Sequence, residues 1–335
     1  MTEHHAPEHH VPGHDAVIAW LLAGDPAIRW QVMRDLLDLP EADWAGERAK
    51  VEADGWGARL LACQDPDGQW AGGAFFPADF TPDEWHRSGQ PWTATAFALD
   101  QLREFGLDPA TERARRTVAL VGAHSRWDEG GQPYWQGEVE ECINGRTVAN
   151  GAYFGADVAA LVDRLVDDRQ PDGGWNCERA AGSACSSFAS TLNVLEGLLE
   201  YERATGGTDR SRDARRTGEE YLLTRHLFRR LTTGEPADPR FLDLLHPNRW
   251  RYDILRALDY FRAAGQLSRA QPDPRLAEAV AHVRSRRQPD GTWPLDWDLR
   301  GRVWLKVNDG PGQPSPWITL RALRVLKWWD AAGFP

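Results

Sequence analysis

The sequence predicts an all-α protein of stacked helix pairs that close on themselves, and three observations carry that expectation. One is a turn unit in three copies: Gln64-Asp65-Pro66-Asp67-Gly68-Gln69-Trp70, Gln170-Pro171-Asp172-Gly173-Gly174-Trp175 and Gln288-Pro289-Asp290-Gly291-Thr292-Trp293. Another is apolar spacing of three and four residues along most of the chain, with strand-like alternation almost absent. The last is distance. The copies begin roughly 105 and 118 residues apart, which with degenerate units between them gives a period of about 50 to 60 residues, or two helices.

Each unit reads as the end of a helix, a Gln, an Asp-Gly turn and a Trp two residues past the glycine. Asp bonds its own backbone two residues on, and Gly takes the positive φ of a tight turn. The indole then covers the end of the preceding helix, and the Gln side chain is placed to bond backbone groups left open at the next one. Turn chemistry accounts for every residue, so the unit is a staple before it is a reaction centre.

In chain order, residues 1–14 hold His4, His5, His9, His10 and His14 with Pro7, Pro12 and Gly13. They read as a disordered tail, with adventitious divalent metal on neutral imidazoles as the alternative. Helical spacing begins at Asp15, and residues 15–335 read as one domain. Helices are expected at Asp15–Leu22, Pro26–Leu37, Glu41–Ala53 and Trp56–Gln64, the last leading into the first turn unit. Residues 71–90 read as irregular. Helices follow from Pro91 to about Phe105 and at Pro109–Ala123, then a degenerate turn unit over His124–Trp135. Thr147–Asp168 reads as one long helix, broken near Gly151 or Gly155. Ser186-Ser187 caps a helix to Ala204, and Asp209–Phe228, Pro239–Leu245, Asn248–Ala264, Pro274–Arg287 and Ser315–Ala331 complete the set. The helices that follow the three copies have small-residue faces, as in Thr93–Leu99, Ser190–Leu195 and Thr319–Leu323. These are expected on the inside, with about six pairs stacking into a ring and leaving no edge unit exposed.

Composition excludes several classes. A net charge of −11 argues against nucleic acid or an anionic membrane surface, which want clustered Lys and Arg. No apolar run approaches the roughly 18 residues of a membrane span and no signal peptide opens the chain, so a cytoplasmic protein is expected. Cys63, Cys142, Cys177 and Cys185 form no CxxC pair and fit a reducing compartment. Seventeen Trp residues exceed what a core requires, and suggest repeated staples or an aromatic-walled cavity.

The helix–Gln–x–x–x–Gly–x–Trp unit resembles the repeat of squalene and oxidosqualene cyclases, shared more loosely with protein prenyltransferase β subunits. The resemblance covers nearly all of residues 15–335 and implies a stand-alone α/α toroid. Its implied activity is that of a terpenoid cyclase or isomerase acting on a hydrophobic isoprenoid-type substrate through a carboxylic general acid. The D-x-D-D box of class II cyclases is absent, since Asp296-Trp297-Asp298-Leu299 lacks the last acid. Two alternatives stand beside it: a non-catalytic toroid that binds a hydrophobic small molecule or partner, and a zinc-dependent prenyltransferase-like protein. No cofactor is expected otherwise.

In such a ring, residues between a turn unit and the next inner helix gather at one mouth. Glu138–Arg146, Asn176-Cys177-Glu178 and His246–Asp253 are unusually polar there. Crowded carboxylates, as expected of Glu138, Glu140 and Glu141, raise one another's pKa. Glu140 and Glu141, with Glu178 and with Asp253 as acid or base, are candidate general acids facing an apolar cavity. The plainer readings are a solvated acidic loop countered by Arg146, and an Arg249–Asp253 pair supporting a helix. Cys142 and Cys177 are expected to meet across the mouth, as substrate-binding residues, as zinc ligands together with His246 or as a nucleophile, against ordinary buried cysteines. Trp92, Tyr153, Phe154, Trp175, Trp250, Tyr252 and Trp317 are expected to wall the cavity, each offering a cation on the order of 0.5–2 kcal/mol.

Overall fold

The structure, a computed structural model, describes residues 14–334. Apart from His14, the tail expected over residues 1–14 lies outside them. Among the described residues there is no β-strand, only isolated bridges in turns.

The chain opens with α1 (His14–Leu22), α2 (Pro26–Asp35), α3 (Glu41–Ala53) and α4 (Gly55–Ala62). Asp25 caps α2 by accepting from the Ala27 N–H, with Pro26 in the first turn, where its missing donor costs nothing. α5 (Pro82–Ser88) lies inside the segment read as irregular. Trp85 is its one large apolar residue, so no periodicity announces it; the Thr81 cap, Pro82 and ion pairs from Arg302 to Asp79 and Glu84 hold it.

α6 (Thr95–Phe105) and α7 (Glu112–His124) follow, then α8 (Glu141–Phe154) and α9 (Ala159–Asp167). The helix expected over 147–168 with a break near Gly151 or Gly155 is two helices. They part at Gly155, whose left-handed φ of 80° ends α8. α8 also starts six residues earlier than its apolar run, so Glu141–Arg146 is helix instead of approach loop. α10 (Phe188–Thr205) is capped by Ser187, and α11 (Asp209–Leu223) by a Thr208/Ser211 capping box. Pro239–Leu242 makes only a 3-10 turn. α12 (Ile254–Ser268) begins after the expected Asn248, because the Asp253 carboxylate caps it at the Arg256 N–H. α13 (Ala277–Ser285) and α14 (Pro316–Ala331) finish the chain, the latter capped by Ser315.

The three turn units share their backbone closure and the two bonds of their Trp. Each indole N–H donates to a carbonyl ten residues back: Trp70 to Leu60 at 2.8 Å, Trp175 to Leu165 at 2.6 Å and Trp293 to Val283 at 2.7 Å. Each Trp backbone N–H donates to a threonine hydroxyl of the following helix, Thr95, Thr191 or Thr319, at 3.0–3.1 Å. So the Trp donates to a carbonyl in the last turns of the preceding helix, and ties two helices through one residue. The glycines Gly68, Gly173 and Gly291 all have φ near 90–100°. The turn closes from Gly173 N–H to Gln170 and from Gly291 N–H to Gln288, but in the first copy from Gly68 to Asp65. The residue equivalent to Gln170 is therefore Asp65, one past the Gln64 that the sequence pattern suggests. The staple is also not the glutamine: the Gln170 amide has no partner at either end, and Gln64 donates to the Gly68 carbonyl and the Thr117 hydroxyl in the middle of α7, not to the open backbone of a helix start. In the degenerate unit Trp135 donates to Val118 of α7 at 3.3 Å.

Six helices touch in sequence: α2 packs on α6, α6 on α8, α8 on α10, α10 on α12, α12 on α14, and α14 on α2. The α8–α10 contact is the closest-packed. A Cβ on Gly145 would stand 2.5 Å from the Asn193 carbonyl oxygen, and one on Gly197 would stand 2.3 Å from that of Gly145. Only glycine allows backbones so near. No helix among the described residues is long and apolar enough to cross a membrane.

Candidate functional site

Within these helices, charged residues recur at three- and four-residue spacing among buried apolar neighbours. α6 carries Asp100, Arg103 and Glu104; α12 carries Arg256, Asp259 and Arg262; α14 carries Arg321 and Arg324. Such a stripe in the interior requires partners, since an unpaired buried charge is costly. Almost all have them. Arg146 Nε donates to Asp100 at 2.9 Å, and Arg103 to the Asn150 side chain at 2.9 Å. Arg256 grips Glu196 with two nitrogens at 2.8 and 2.6 Å and reaches Asn193 at 2.7 Å. Arg324 pairs with Asp259 and reaches Gln31 of α2 at 3.1 Å. Arg321 pairs with Glu104 and donates to Asn248 at 2.6 Å.

These side chains wall a cavity of about 760 Å³ between the six helices. Ten arginines and seven carboxylates line it, an excess of three positive charges in a chain whose net charge is −11. The aromatic share of the wall is Trp30, Tyr153, Tyr260 and Trp317. The apolar, aromatic-walled hollow expected from the Trp surplus is thus a charged one, because the staples consume Trp70, Trp175 and Trp293, each fully buried.

At one side of the cavity sits the segment before α12. His246 is fully buried, stacks on Trp317 with ring centres 5.0 Å apart, and lies 3.2 Å from Glu104. Burial lowers its pKa to about 4, so the ring is neutral at pH 7. Burial opposes the Glu104 carboxylate, but His246 and Arg321 beside it more than offset this and hold its pKa below the ordinary value.

Arg321 Nε is buried without a partner, but Arg321 holds Glu104, whereas Arg249 is paired with no carboxylate among the described residues. Arg249 is 5 % exposed, lines the cavity, and its Nη1 has no hydrogen-bond partner. Its guanidinium stands 5.6 Å from the Trp92 ring and 5.8 Å from Phe97. Burial, and then the nearby Arg146, lower its pKa to about 10, which leaves it charged at pH 7.

Of the residues the sequence nominates, Arg146, Tyr153 and Trp317 line this cavity. Tyr153 donates to Leu107 at 2.8 Å and accepts from Arg48 at 3.0 Å. Phe154 packs edge-on against it at 4.9 Å. Trp92 is buried beneath Arg249 and donates to the Arg300 carbonyl at 2.9 Å. Trp175 is a staple. Trp250 is half-buried under Arg251, and Tyr252 donates to Leu227 at 2.6 Å within a cluster with Phe188 and Phe241.

None of the four nominated acids is in the cavity wall. Asp253 is fully buried, and burial raises its pKa, but it accepts from the Leu245 and Arg256 N–H groups as a helix cap. Glu141 is buried against Arg179 at 2.7 Å. Glu140 and Glu178 are exposed. Cys142 and Cys177 do meet, at the start of α8, and Glu140 joins them; His246 does not. The residues missed by sequence reasoning are the wall charges, above all Asp100, Glu104, Glu196, Asp259 and Arg324. Their signal was charge at helical spacing inside segments otherwise apolar all round.

No family model and no curated protein matches the chain. Among solved structures it is similar to the crystal structure of a protein from Actinoplanes, with 17 % identity over 91 % of this chain and 90 % of that one and a TM-score of 0.45.

Proposed function

We propose that the chain is a single α/α toroid of about six helix pairs whose hollow binds a small anionic molecule, held by Arg249. The ring reading is supported by the order of helix contacts, which returns from α14 to α2 and so to its start. The ligand reading rests on one observation, the buried guanidinium of a cavity-lining arginine that has no carboxylate partner and whose Nη1 is unpartnered. A phosphate or carboxylate there completes a charge-assisted pair that the protein itself leaves open. Its neighbours already hold carboxylates, so they set the field and Arg249 makes the bond.

The isoprenoid reading is second, carried by the four aromatic rings in the wall. A prenyl chain with an ionised head satisfies both readings; a bare hydrocarbon leaves Arg249 unpaired. The acidic side chains of the wall named above are tied to arginines, which argues for binding before acid catalysis. Calorimetric titration of the full chain with inorganic pyrophosphate, a prenyl diphosphate and the matching neutral prenol tests this. Both phosphates are expected to bind, more weakly as salt rises, with Arg249→Gln weakening them about tenfold or more. Equal affinity for the prenol, or an unchanged Arg249→Gln, overturns the anion reading. Formation of product from the prenyl diphosphate makes the protein an enzyme.

A further inference from the structure

At the start of α8, outside the cavity wall, tertiary structure assembles three groups that no sequence signature links. Glu140, Cys142 and Cys177 each place a ligand atom within 4.8 Å of the other two. The Glu140 Oε2 to Cys142 Sγ distance is 3.5 Å. A tetrahedral ion bound at about 2.3 Å to sulfur and about 2.1 Å to oxygen separates those two ligands by roughly 3.6 Å, and two sulfurs by roughly 3.8 Å. The carboxylate–thiol edge already has that length, and the 4.8 Å limit on the set leaves the thiol pair a small adjustment from it.

The surroundings suit bound thiolates. The Cys142 backbone N–H donates to Cys177 Sγ at 3.3 Å, and the Ser190 hydroxyl lies 3.2 Å from the same sulfur. Donors aimed at sulfur are the outer contacts that fix a metal-bound thiolate. Glu141 is held away by Arg179, which leaves Glu140 as the single carboxylate of the cluster. Cys142 is nearly buried, Cys177 is half-buried and Glu140 is exposed, so one side of the cluster opens to solvent.

We propose that Glu140, Cys142 and Cys177 bind one zinc-class divalent ion with a fourth position open to water. Three protein ligands and an open position are the arrangement in which such an ion acts on a bound water or ligand. This is independent of the anion site at Arg249.

The test is anaerobic titration of the reduced full chain with cobalt(II), read by absorption. Histidines in residues 1–14 also bind cobalt, but only thiolates give the near-ultraviolet sulfur-to-cobalt charge-transfer band. One saturable equivalent carrying that band is expected, displaced by zinc. Cys142→Ser and Cys177→Ser are each expected to halve its intensity, and Glu140→Gln to keep it while weakening affinity by roughly tenfold. Circular dichroism checks that the variants are folded; alanine at either cysteine replaces a serine variant that is not. No charge-transfer band with both thiols free overturns the proposal. So does a band unchanged in either cysteine variant, or a Cys142–Cys177 disulfide that resists reduction in the folded protein.

Discussion

The turn units and the cavity wall are built by opposite rules. In the units one bond recurs at one offset: an indole N–H meets a carbonyl ten residues back, three times over. Around the cavity the wall residues differ from helix to helix, with acid and arginine on α6, arginine and tyrosine on α8, and two arginines on α14. The indoles of the units are uncharged and face protein, whereas the wall is charged and faces a void. Repetition marks what holds the helices together. Departure from repetition marks what the assembly surrounds.

The comparison breaks first at the staples. Trp175→Ala is expected to cost about 3–5 kcal/mol, since it empties a fully buried site and strands the Leu165 carbonyl. Urea unfolding measures it, with Trp250→Ala at a half-buried position as the contrast. Equal losses at the two sites would remove the staple's special standing.

Next is the pH dependence of His246. Its pKa falls from 6.5 to about 4 on burial, so between those values the unfolded chain holds a proton that the folded chain does not. Stability from this group is complete above pH 6.5 and drains away as pH falls towards 4, by roughly 3 kcal/mol in all. Urea midpoints at stepped pH should show this slope in the wild type and a flatter one in His246→Gln. A slope that survives the substitution assigns the effect elsewhere.

The smallest effect has the opposite sign. Arg249→Met in the ligand-free protein is expected to raise stability by about 1 kcal/mol, because it removes a buried charge without a full set of partners. A thermal melt without added anions reads it. A loss of stability instead would mean that the contacts with Trp92 and Phe97 outweigh desolvation.

Helix content, most helix starts and the three turns were legible in the sequence, because caps and Asp-Gly-x-Trp chemistry are local. Ser187, Asp25 and Ser315 cap as their residue types direct. The α8 start was not legible, since Glu141 and Cys142 are buried by neighbours distant in sequence. Nor was α5, whose support comes from Arg302, more than two hundred residues away. The site was legible in fragments. Polar loops drew the eye to Cys142, Cys177 and Arg146, while the wall charges hid on helices that read as core. Arg249 was seen only as a helix-pair partner of Asp253. Its isolation follows from Asp253 being engaged by backbone donors, which spacing alone does not reveal.

One consequence follows from where α14 falls in the chain. Glu104 and Asp259 pair with Arg321 and Arg324 of this helix, and Asp35 is approached by Arg324. During synthesis Asp35 and Asp259 already have Arg34 and Arg262 beside them, whereas Glu104 waits for Arg321; without α14 the wall holds eight arginines against seven carboxylates. Docking of α14 raises that excess from one positive charge to three, so most of the wall's surplus arrives with residues 316–331.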